Sequence, residues 1–139
     1  MLSCPLPDLV AHFDDTTLPP NEWTHEAHLA VALTFFRDKA GNEEATLNRM
    51  RAAIKRYNAA MGVVDGPMSG YHETLTVFWL GAVASFARNH RGTIDDMFPI
   101  LLEQWGESRA PLRFYSKRVL MNPTARARFV PPDLAPLPW

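Results

Sequence analysis

Apolar positions recur at helical spacing along most of this chain. No run of alternating β-branched residues bounded by hairpin turns interrupts them. A short first helix is predicted from Asp8 to Asp14, with Leu18-Pro19-Pro20 ending that region. A second begins near Pro20 or Asn21, because proline suits a helix start, and stops at Gly41. Its apolar residues (Trp23, Leu29, Val31, Leu33, Phe35, Phe36) fall on almost every face, which marks a buried central helix. The third is expected from Glu43 to Met61, where Leu47, Met50, Ile54, Tyr57 and Met61 form one apolar stripe. After the loop VVDGPMSG, Ser69 is placed to cap a fourth helix running from Gly70 to about His90. His72, Thr76, Trp79, Val83, Phe86 and His90 share its apolar face.

Thr93 and Asp96 form a capping-box pattern opening a fifth helix to Trp105. Pro99 inside it predicts a kink or a later start. A sixth short helix is expected from Leu112 to Leu120 and a final turn from Pro123 to Phe129. The end, VPPDLAPLPW (130–139), holds four prolines and should be an extended strap laid over the bundle through Val130, Leu134, Leu137 and Trp139. The pattern therefore predicts an all-α, single-domain bundle of five to six helices with a Pro-rich C-terminal strap.

Composition narrows this picture. The chain has 139 residues, 47% hydrophobic and 21% charged, a globular balance for one domain. One cysteine, Cys4, excludes an intramolecular disulfide framework and a Cys-rich zinc site. The net charge of −1 conceals an asymmetry: residues 1–108 sum to −6 and residues 109–139 to +5. A basic C-terminal segment docked on an acidic body is the plain reading. The sharper one is an anion site built from Arg113 and Arg118. Six cations with one nearby aromatic pair make too thin a footprint for nucleic acid. No nucleotide-binding motif, targeting segment or membrane span is visible, so a cytoplasmic location is expected.

The candidate chemistry lies in EWTHEAH and GYHET. Short connections make the second, third and fourth helices antiparallel neighbours, so the second and fourth begin at the same end of the bundle. His25 and His28, three apart, then sit beside His72 and Glu73. Three imidazoles with an open fourth position suit catalytic zinc, and two with a carboxylate suit non-haem iron. One divalent metal on His25, His28, His72 and Glu73 is therefore one expectation, with Glu22, Tyr57, Asn58 and Tyr71 around it. Glu22-x-x-His25 has di-iron spacing, but the second Glu-x-x-His of such sites is absent. His25 and His72 could be axial ligands, yet nothing marks haem attachment or propionate binding. Trp23 and Trp79 are expected in the core, and His12 and His90 outside the site.

EWTH-x-x-H, YNAAMG, GYHETLT and FVPPDLAPLP together resemble a family of small, largely uncharacterised bacterial helical proteins. The resemblance covers most of the chain and implies a bacterial cytoplasmic protein with no known reaction. A looser, architectural likeness is to the DinB/YfiT-like bundles, which hold a metal with three histidines. Their histidine pair is four apart in a late helix; here it is three apart in an early one.

Two functions follow as expectations. The first is a metal-dependent small-molecule enzyme of hydrolase or oxygenase type. The second is a non-enzymatic protein for a small anionic ligand or a protein partner, its histidines lining a metal-free pocket. A homodimer is compatible with either.

Overall fold

The computed structural model describes residues 2 and 4–139. Among the described residues are seven α-helices: α1 (Leu6–Asp14), α2 (His25–Asp38), α3 (Glu43–Ala60), α4 (Glu73–Arg88), α5 (Ile94–Trp105), α6 (Lys117–Leu120) and α7 (Pro123–Ala127). The fold is an all-α bundle, and none of the described helices is long and apolar enough to cross a membrane.

Helices α2 and α4 form its centre. Both bury residues on all sides: Leu29, Val31, Leu33 and Phe35 in α2, Phe78, Leu80, Val83 and Phe86 in α4. Each such burial contributes about 1.5–3 kcal/mol against about 1 kcal/mol for a typical cap, so packing decides where these helices lie. Helix α3 adds its one stripe through Met50, Ile54 and Tyr57. Helix α5 adds Met97, Phe98 and Leu101.

Capping decides where the helices begin, and here two expectations change. The second helix does not start at Pro20: Pro20–Glu22 is a separate 3-10 turn, and Thr24 caps α2 by accepting the Ala27 N–H. Ser69 does not cap the fourth helix; its hydroxyl donates to the Val64 carbonyl inside the loop. His72 takes that place, its Nδ1 accepting the Leu75 N–H, so α4 starts three residues later than expected. The Thr93–Asp96 capping box forms, and α5 runs through Pro99 from that cap.

The expected sixth helix is divided. A 3-10 turn covers Ala110–Arg113, and Ser116 caps the four-residue α6. Beyond α7 the chain is extended. Val130 and Leu137 pack against the cluster of Phe78, Tyr115 and Leu120. Leu134 points outward, while its N–H donates to the Phe114 carbonyl. Trp139 lies across Gly81 of α4, where a Cβ would collide with the indole, and its ring meets Phe78 and Trp105 edge-on.

Candidate functional site

The starts of α2 and α4 and the last turns of α3 enclose a cavity of about 410 Å³. His25, His28 and His72 all line it, with Asn58, Tyr71, Thr76 and Ser108 as further polar groups. Its apolar wall includes Trp23, Ile54, Leu75 and Trp79. The antiparallel α2–α3–α4 arrangement thus brings the three histidines to one cavity.

Their nitrogens are committed differently. His72 is buried, and both its nitrogens are taken: Nδ1 accepts the Leu75 N–H at 3.1 Å and Nε2–H donates to the Leu120 carbonyl at 2.9 Å. Its tautomer is therefore set by its partners. Burial pushes its pKa down, with the Leu120 carbonyl opposing and the Arg126 charge adding to the fall. His72 has no lone pair left for a metal.

His25 and His28 each use one nitrogen. His25 Nε2–H donates to the Trp105 carbonyl at 2.9 Å, and the ring lies 4.4 Å from Trp79. His28 Nδ1–H donates to the Thr24 carbonyl at 2.7 Å, and the ring stacks on Trp23 at 3.7 Å. The stack joins the residue before the cap to the fourth helical residue, as a hydrophobic staple does. His25 Nδ1 and His28 Nε2 have no partner among the described residues. Among the described residues no fully buried side-chain nitrogen or oxygen lacks one, so both open atoms reach solvent. Burial pulls His28 down to about 4, against the raising effect of the Thr24 carbonyl, and the neighbouring His25 lowers it further. His28 is neutral at physiological pH, and its Nε2 is an acceptor.

Glu73 departs from the expected ligand set. It faces the other side of the Tyr71 wall, where Arg51 binds it in a fork at 3.0 and 2.6 Å and the Tyr71 hydroxyl donates at 2.6 Å. The Arg51 fork holds its carboxyl below the usual range. Among the described residues no three His, Cys, Asp or Glu side chains form a group able to hold a metal ion. The convergence expected of His25, His28, His72 and Glu73 as ligands does not form, because helix capping and an ion pair have already engaged two of them.

The surrounding residues divide in the same way. Asn58 and Tyr71 line the cavity. Tyr57 is buried beside it, its hydroxyl donating to the Leu18 carbonyl at 2.7 Å. Glu22 lies in the 3-10 turn, outside the lining. Arg113 and Arg118 are exposed, and neither lines the histidine cavity. The Arg113 guanidinium instead sits 5.9 Å over Trp105. Trp23 and Trp79, assigned to the core from sequence, are only partly buried and wall the pocket. Reading Thr24 as a cap would have placed Trp23 outside the helix.

No family model, no curated protein and no solved structure matches this chain. The class that fold and cavity define is an all-α bundle with an aromatic-walled, histidine-lined pocket at one end.

Proposed function

We propose that this protein binds a small organic molecule in the histidine-lined cavity, without a metal. One observation carries the reading: an apolar, aromatic-walled concavity in which two imidazole nitrogens stand open while the third imidazole is consumed by structure. Small-molecule sites have this composition, a largely apolar lining with a few fixed polar groups. The cavity favours an apolar body that carries a hydroxyl or N–H and lies against the Leu75 and Trp79 wall, since Phe13 and His28 already stack on the Trp23 indole. That donor meets His28 Nε2, and Asn58 offers a second polar contact. A metal centre would require His72 to give up its cap and its Leu120 link, and Glu73 to leave Arg51.

Titration with phenol and indole, followed by tryptophan fluorescence and calorimetry, tests the proposal. Saturable binding is expected, weakened about tenfold by His28→Leu through loss of the acceptor. Absence of saturable binding overturns it. So does binding that arises only after zinc or iron(II) is added, which would restore the metal-dependent reading.

A further inference from the structure

A larger cavity, about 830 Å³, lies on the far side of Tyr71 between α3, the loop before α4, and α7. Four cations line it (Arg51, Lys55, Arg126, Arg128) against two carboxylates, Asp65 and Glu73. Glu73 is neutralised by the Arg51 fork. Asp65 accepts the Tyr71 N–H at 2.9 Å and, among the described residues, has no cation partner. Among the described residues Lys55, Arg126 and Arg128 enter no ion pair. The cavity therefore holds two positive charges in excess.

Those charges stand on fixed backbone. The Thr74 hydroxyl of α4 lies 2.6 Å from the Ala125 carbonyl and 3.0 Å from that of Arg128, and accepts the Val130 N–H at 3.2 Å. This buried group pins α7 and the residues after it to α4. Arg126 is aimed by one further bond, its Nη1 donating to the Gly70 carbonyl at 2.8 Å. Lys55 is held near the Tyr71 ring, 5.1 Å from its centroid. Phe129, a residue 41% exposed, completes the lining.

We infer that this second cavity binds the phosphate of a small phosphomonoester. A phosphomonoester carries close to two negative charges at neutral pH, which matches the local excess. Guanidinium forks suit its oxygens, and Phe129 offers an apolar surface for the organic part. The site is separate from the histidine cavity and does not rest on its ligand.

The test is calorimetric titration with inorganic phosphate, phenyl phosphate and benzoate at low salt, with amide shifts mapped by NMR. Lys55 and Arg128 are exposed and, among the described residues, make no hydrogen bond through their side chains, so the Lys55→Ala/Arg128→Ala double variant keeps the fold. Saturable binding of phenyl phosphate is expected, with shifts at residues 124–129. The double variant should weaken it by about tenfold or more, and Arg113→Ala/Arg118→Ala should leave it unchanged. The inference is overturned if phenyl phosphate does not saturate or if benzoate binds as tightly. It also fails if the Arg113/Arg118 variant loses as much affinity, or if His28→Leu abolishes binding.

Discussion

The starts of α2 and α4 bear similar residues and face the same cavity, yet they differ in what they leave free. At the start of α4 every side-chain polar atom of His72 is bonded, and Glu73 is held by Arg51 and Tyr71. At the start of α2, His25 and His28 each keep one nitrogen open among the described residues. A histidine's neighbourhood therefore does not tell its role; the count of its unspent hydrogen-bonding positions does. One helix start is framework and the other presents chemistry.

The largest expected effect tests that division directly. His72→Leu removes the cap of α4 and leaves the Leu75 N–H and the Leu120 carbonyl unpaired in a buried place. A lost cap costs about 1 kcal/mol, and an unsatisfied buried group a further 1–3 kcal/mol. A loss of about 3 kcal/mol is expected in urea unfolding. His28→Leu removes one bond, to a Thr24 carbonyl that the His28 N–H also reaches, and keeps apolar contact with Trp23. It should change stability by less than about 1 kcal/mol. Equal losses for the two variants would dissolve the comparison.

The fold was legible where a pattern is local. The stripe of α3 is a 3.6-residue period, and its centre (Met50, Ile54, Tyr57) is buried as read, while Leu47 is half-buried and Met61 falls at the C-cap. The α5 capping box is a four-residue signal, and it forms too. The start of α4 was not legible, because its cap depends on a histidine that also needs the Leu120 carbonyl, 48 residues away. The shared cavity followed from antiparallel topology, and the three histidines do line it. What could not be read was which nitrogens would remain open. That depends on carbonyls of Trp105 and Leu120, which tertiary packing delivers. The anion reading chose Arg113 and Arg118 by charge density alone. The cavity proposed for phosphate is lined by Arg126 and Arg128, which the tie between α7 and α4 brings there.

Acid should act on both helix starts, with a sign set by their lowered pKa values. Burial lowers His28 to about 4 from 6.5, and lowers His72 as well. The unfolded chain then binds more protons than the native one between those two pH values, so native stability falls as pH drops. The contribution is fully present above about pH 6.5 and is lost on approach to pH 4. His28 alone accounts for a loss on the order of 2 kcal/mol over that window. Urea midpoints at neutral and acid pH measure it, and His28→Leu should flatten the decline. For His72 the damage is also geometric: a proton on Nδ1 would face the Leu75 N–H, donor against donor. A decline that His28→Leu leaves untouched would assign the whole effect to the α4 start.

The smallest expected effect concerns the wall between the two cavities. Tyr71 lines both, presenting its hydroxyl to Glu73 on the cationic side. Tyr71→Phe keeps the ring and removes that hydroxyl, while Glu73 retains both Arg51 bonds. The hydroxyl is replaced by a hydrogen beside a carboxylate that stays paired, so a loss of only about 0.5–1 kcal/mol is expected in thermal or urea unfolding. Phenol or indole affinity in the histidine cavity should stay within about twofold, since the aromatic ring in its wall is kept. A tenfold change there would mean that the hydroxyl serves the histidine cavity as well. The two sides of Tyr71 would then be one continuous site, with His28 and Arg126 acting on the same ligand.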